Sequence, residues 1–205
     1  MQKARGEDAE LVKKIKRVIV RRIDPVDEVE VDNPTDLPLI AKERKCAVFQ
    51  LDETRCVKIF RKAGKAEKEF FLLQRGAAHA ITPNAYEYGP LFVVMDLMPY
   101  PTAEQYIQTN GLTKELASGL LHLLNASRTI GFTGGHAPRD IYVMPDGTLR
   151  AVNISDKRLP LGYPPKKLLK GLGMLANDFL QHVKELDPVI YAQWTSHPEL
   201  KQTSN

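Results

Sequence analysis

Residues 56–60 read Cys-Val-Lys-Ile-Phe, a lysine set among apolar side chains, and the organisation of the chain can be worked out from either side of it. Cys56, Val57, Ile59 and Phe60 suit a pleated, buried segment, so the stretch reads as a strand carrying Lys58. Upstream, Val48 to Leu51 is a second apolar run, and Asp52, Glu53 and Thr54 between them are turn residues, which predicts a hairpin. With Cys56 near Leu51, Cys46 falls about five residues further along, roughly 16 Å at strand rise and beyond disulfide reach. Two cysteines and five histidines show no metal-ligand spacing, so both thiols read as ordinary buried ones.

Downstream, Lys65 to Arg75 places Phe70, Phe71, Leu72 and Leu73 among charges and reads as a helix. Thr82, Pro83 and Asn84 then break the chain before two further strands, Ala85 to Tyr88 and Leu91 to Met95. After Pro101 the pattern turns helical. Thr113 can cap a helix whose apolar face is Leu116, Leu120, Leu121, Leu124 and Ile130, with Gly131 at its end. Ile141–Val143 and Leu149–Ile154 flank Pro145-Asp146-Gly147, a second hairpin, and the tail is helical through Leu168, Leu169, Leu172, Leu175, Phe179, Leu180 and Val183. A sheet-rich front and a helix-rich back predict an α+β architecture with a hinge near residues 96–101.

Before the hairpin, Leu11, Val12, Ile15, Val18, Ile19 and Ile23 recur at helical spacing, with Lys13, Lys14, Lys16, Arg17, Arg21 and Arg22 between them and Pro25 as the stop. The acidic Asp24, Asp27, Glu28, Glu30 and Asp32 follow directly. A basic amphipathic helix can serve as an arm for nucleic acid or an acidic membrane surface, or its charges can be met within the chain. The expected division is 1–36 for this helix and acidic linker, 37–98 for a sheet-rich part and 99–205 for a helical part.

Composition bounds the rest. The 205 residues carry 29 basic and 25 acidic side chains, a formal charge of +4, and 43% are apolar, enough for a real core. No stretch approaches the roughly 20 apolar residues of a membrane span, and the first residues mix Lys3, Arg5, Glu7, Asp8 and Glu10, unlike a secretory leader. A cytoplasmic location is the expectation.

The ordered series of hairpin, lysine strand, glutamate-bearing helix, apolar strand, hinge, long helix, His136-Ala137-Pro138-Arg139-Asp140-Ile141-Tyr142-Val143 and Pro-Asp-Gly hairpin resembles the protein-kinase-like superfamily. It is most similar to short bacterial serine/threonine-kinase-like proteins, over about Leu37 to Val183. The resemblance implies a compact two-lobed fold with a sheet-rich N-lobe and a reduced helical C-lobe. Cys56 to Phe60 is similar to the V-A-I-K strand, whose lysine meets phosphate oxygens and is held by a helix carboxylate. Lys58 and Glu69 take those places, with Glu67 as the other possible partner. The implied nucleotide contacts are Val48, Cys56, Lys58, Met95 as gatekeeper, Asp96 to Met98 as hinge, and Tyr142 beneath adenine.

The resemblance also exposes departures. Ala41, Glu43 and Cys46 stand where a phosphate-covering loop needs glycines, and Glu43 brings a negative charge toward the expected triphosphate. Aligned on Pro138 and the apolar triplet after it, Gly135 falls at the catalytic aspartate and Asp140 at the metal-binding asparagine. Asn153-Ile154-Ser155 replaces D-F-G. A competing register makes Arg139-Asp140-Ile141 the catalytic R-D-L, but it puts Pro145 at the asparagine and consumes the strand Ile141–Val143. Asp140 with Asn153 could hold one hard cation weakly through oxygen, and His136 could serve as a general base or be structural.

The implied function is a pseudokinase with weak or no phosphoryl transfer, acting by binding another protein. The alternatives are an active atypical kinase for serine, threonine or a small molecule, using ATP with Mg²⁺ or Mn²⁺ through Lys58, Glu69 and Asp140, and an anionic-surface binder through residues 13–22.

Overall fold

The computed structural model describes residues 2–22, 28–133, 135–156, 159–160 and 162–201. The chain is α+β and divides into two compact units, Met1–Gln74 with Asn84–Met98, and Arg75–Pro83 with Pro99–Asn205.

In the first unit, α1 (Gln2–Arg17) leads into β1 (Ile19–Arg22) and β2 (Val29–Asp32), which pair antiparallel with Arg21 opposite Glu30. The helical reading of residues 18–22 is therefore corrected. Val18, Ile19 and Val20 are three consecutive β-branched residues whose restricted side chains favour an extended backbone. Ile23, Asp24, Pro25 and Asp27, which entered the helix and linker readings, lie outside the described residues. A five-stranded antiparallel sheet follows. Its strands are β3 (Leu39–Lys42), β4 (Cys46–Gln50), β5 (Arg55–Phe60), β6 (Ala85–Tyr88) and β7 (Phe92–Asp96), in the order β3-β4-β5-β7-β6. The helix α2 (Lys65–Ala77) connects β5 to β6.

Strand alternation gives this sheet two different faces. Ala47, Phe49, Val57, Ile59, Phe92 and Val94 form one core with Ile15, Val18, Val20, Val29 and Leu37 of the N-terminal segment. The apolar stripe of α1 is thus spent inside the unit. Its Lys14 pairs with Asp36 at 3.0 Å, while Lys13, Lys16, Arg17, Arg21 and Arg22 remain exposed. On the opposite face Lys58 sits between Val48 and Val93 in register, and Glu69 of α2 reaches it.

The second unit is built on α3 (Ala103–Asn110), α4 (Lys114–Thr129), the hairpin β8 (Ile141–Val143) and β9 (Leu149–Ala151), and then α5 (Lys166–Leu172), α6 (Ala176–Leu186), α7 (Pro188–Ser196) and α8 (Pro198–Lys201). Thr102 and Gln105 close a capping box on α3, the Thr102 hydroxyl accepting from the Gln105 amide and the Gln105 side chain accepting from the Thr102 amide. Thr113 caps α4, whose Leu116, Leu120, Leu121, Leu123 and Leu124 are buried, and Gly131 follows with φ 79°. Phe179, Val183 and Trp194 add the buried side chains of α6 and α7. Residues 75–83 join this unit through backbone and guanidinium contacts. The Ala151 amide donates to the Ile81 carbonyl, and Arg150 to that of Thr82. No helix among the described residues is long and apolar enough to cross a membrane.

Candidate functional site

The residues singled out in the sequence fall into two groups, one in each unit. In the first, Lys58 is 2% exposed and its Nζ lies 2.7 Å from Glu69 Oε1. Glu67, the other candidate partner, instead stands near the Tyr88 hydroxyl at 3.5 Å. Burial by itself would lower the pKa of Lys58, but the Glu69 and Glu43 carboxylates outweigh it and hold the ammonium above the usual lysine range. A second carboxylate completes the group, with Glu43 Oε2 3.7 Å from the same Nζ.

Glu43 belongs to the turn between β3 and β4, the segment where glycines were expected. None of Ala41, Glu43 and Cys46 has a positive φ. Cys46 is buried on β4 and its thiol donates to Glu43 Oε2 at 3.2 Å. Both cysteines are free, and they stand opposite Phe60 and Gln50 rather than each other. Burial pushes the Cys56 thiol up to about 12 and the Cys46 thiol upward as well, so each is a neutral donor.

Within the stretch expected to meet adenine, Asp96 and Leu97 bond to the chain itself. The Cys56 thiol donates to the Asp96 carbonyl at 3.4 Å, the Asp96 amide to the Asn84 carbonyl at 3.0 Å, and the Leu97 amide to the Thr54 carbonyl at 2.8 Å. The Asp96 carboxylate accepts from the Asn84 amide at 2.7 Å and from the Tyr86 hydroxyl. Met95 is buried, and Val48 and Met98 are half-buried.

The second group centres on the 3-10 turn Pro138–Asp140 before β8. Asn153 Nδ2 donates to Asp140 Oδ1 at 2.9 Å, and the Val152 amide donates to the Asp140 carbonyl at the same distance. Asn153 holds φ 56°, in the left-handed region that asparagine tolerates better than most residues. The structure therefore brings together the two positions expected to share a cation. In this arrangement the Asn153 amide N–H is turned to the carboxylate. Among the described residues, no group of three or more His, Cys, Asp or Glu side chains could hold a metal ion.

Gly135 has open space beside it. A Cβ there would meet only Thr133 Oγ1, at 3.8 Å, so sterics do not demand glycine where the base was expected. Gly171 of α5 is the opposite case, since a Cβ would fall 2.3 Å from Pro138 Cδ. Gly171→Ala is expected to lose about 1–3 kcal/mol of stability by overpacking, whereas Gly135→Ala should fall within about 0.5 kcal/mol of the native chain. Urea denaturation of the two variants checks this.

Tyr142 is half-buried on β8 and bridges to Thr102. His136 is 3% exposed, with Nε2 3.4 Å from the Ser127 hydroxyl. Burial, reinforced by the charge of Lys167, lowers its pKa to about 4. It is a packed, nearly inaccessible side chain, and that burial favours the structural reading over the general base. The pairing of Glu43 with Lys58 was missed from the sequence. The available signal was that Glu43 directly precedes β4, the strand that faces Lys58 on β5.

Compared with protein-family models and with curated protein sequences, the chain matches none.

Proposed function

We propose that the chain is a protein-kinase-like pseudokinase, which acts by binding another protein and carries weak or no phosphoryl transfer. The observation that supports it best is the 2.7 Å pair between Lys58, on the third strand of the five-stranded sheet, and Glu69, on the helix that follows. That lysine–glutamate pair is a required part of nucleotide phosphate handling in protein kinases. What argues against efficient catalysis is chemical. Gly135 offers no carboxylate to accept a hydroxyl proton, and Asn153 stands where a metal-ligating carboxylate would be needed. Asp140 is left as the single carboxylate of that pair, already accepting from Asn153. Phosphoryl transfer depends on positioning and charge stabilisation, so loss of the base and of one metal carboxylate removes terms worth orders of magnitude each.

The active-kinase alternative draws on the same Asp140–Asn153 pair, whose oxygens would have to ligate Mg²⁺ or Mn²⁺. The anionic-surface alternative rests on the exposed cations of α1 and β1, without the apolar stripe of α1 that membrane insertion would use.

A thermal-shift titration with ATP, with and without Mg²⁺ or Mn²⁺, separates these readings. A nucleotide at 100 times its Kd stabilises by about 2.7 kcal/mol, on the order of 5–10 °C for a chain of this size. The expected result is a shift below about 1 °C and no transfer of labelled γ-phosphate above that of Lys58→Ala. A metal-dependent shift abolished by both Lys58→Ala and Asp140→Ala would overturn the pseudokinase reading in favour of the active enzyme.

A further inference from the structure

Lys58 is buried with two carboxylates near its ammonium. Glu69 is its close partner, and Glu43 approaches the same ammonium to 3.7 Å from a different element, the turn between β3 and β4. A glutamate in a surface turn ordinarily swings in solvent, but this one is fixed at three points. Its Oε2 accepts from the Cys46 thiol at 3.2 Å, its amide donates to the Cys46 carbonyl at 2.8 Å, and its carbonyl accepts from the Val29 amide at 3.1 Å. Val29 belongs to β2, so the N-terminal hairpin helps to hold the turn. The lysine side chain beside it is 2% exposed.

We propose that Glu43 is a specificity-determining residue, a tethered anion on the phosphate-binding side of Lys58 that excludes nucleoside phosphates until the turn lifts. The proposal rests on the kinase-like reading for its statement of which anion is replaced. Its physical basis is independent of that reading. A phosphate entering beside Glu43 and Glu69 meets like charge within a few ångströms in a partly desolvated place, where repulsion is weakly screened. Displacing Glu43 would also leave its carboxylate without the ammonium and the thiol.

Two variants of the full chain test this. Glu43→Gln removes the charge and keeps the volume, whereas Glu43→Ala also uncovers Nζ. Acetylation of Lys58 by an amine-directed reagent is read by peptide mass spectrometry, with exposed Lys16 as internal reference. Binding of ATP with Mg²⁺, and of tripolyphosphate alone, is read by thermal shift. The expected result is at least a fivefold rise in Lys58 acetylation in Glu43→Ala, with an ATP- or tripolyphosphate-dependent shift in both variants that the native chain lacks. Unchanged acetylation in Glu43→Ala would overturn the proposal whatever the nucleotide result. Raised acetylation with no shift from either phosphate probe would overturn phosphate as the excluded ligand, and with it the proposal, while leaving Glu43 as the cover of Lys58 and the kinase-like reading untouched.

Discussion

Glu69→Ala is expected to destabilise the first unit by about 3 kcal/mol, because it leaves a nearly inaccessible ammonium whose remaining counter-charge is 3.7 Å away. Removing one partner of a buried pair ordinarily costs about 3–5 kcal/mol, since the other charge is then uncompensated. Glu43 keeps the value at the lower end. Glu43→Gln alone should lose less than about 1 kcal/mol, because its carboxylate is one-third exposed and stands farther off. The two carboxylates share one ammonium, so the double variant should lose more than the sum of the single losses, by about 0.5–3 kcal/mol. Urea denaturation of the four proteins gives each quantity. A Glu69→Ala variant within about 0.5 kcal/mol of the native chain would mean that water reaches Lys58 and would refute the burial argument. The paired replacement Lys58→Met with Glu69→Leu should restore most of the loss, as apolar isosteres of buried ion pairs commonly do.

The second large effect lies in the other unit and is driven by pH. His136 has its folded pKa lowered to about 4, by burial first and by Lys167 second, against about 6.5 when unfolded. Between those values the unfolded chain binds a proton that the folded chain refuses, so stability rises with pH through that window. The contribution is fully present above pH 6.5 and is lost as pH falls toward 4. That separation corresponds to on the order of 3 kcal/mol. His136→Gln, which cannot titrate, should flatten the dependence of the urea midpoint between pH 7 and pH 4.5. Parallel curves for native and variant chains would refute it. Asp52 cannot imitate this effect. Hydrogen bonds from Thr54 and Arg55 overcome its desolvation and lower its pKa to about 2, so its contribution disappears only on acidification below about pH 4.

Much of the element order was legible because each signal was local. The Asp52–Thr54 turn announces the β4–β5 hairpin, and the Asp52 carboxylate does bond the Thr54 and Arg55 amides at 2.8 Å. Thr113 and Gly131 bracket α4 by cap chemistry. The first 36 residues were read less well, because Leu11, Val12 and Ile15 establish a helical period that Val18 and Ile19 happen to continue. The run of β-branched residues at 18–20 and the Val-Glu-Val-Asp alternation at 29–32 were the stronger signals, obscured by dense charge. The capping box at Thr102 and Gln105 likewise marked α3 as a separate helix. In the site, Lys58 was paired with Glu69, and Glu67 left as the other possible partner, because the resemblance implied a strand lysine held by a carboxylate of the next helix. The Glu43 contact depends on β4–β5 register and on how a turn folds over the strand beside it. Spacing along the chain specifies neither, so a residue read as repelling a ligand is found holding the lysine.

The pairings of Lys58 differ in the length of chain they enclose, and this bears on the order in which the unit assembles. Its bond to Glu69 closes 11 residues, whereas its cross-strand neighbour on β7, Val93, lies 93 − 58 = 35 residues away. Loop-closure entropy favours the shorter connection by roughly 1 kcal/mol. On loop closure alone, the lysine strand meets its helix, and Val48 of β4, 58 − 48 = 10 residues away, at lower cost than it meets β7.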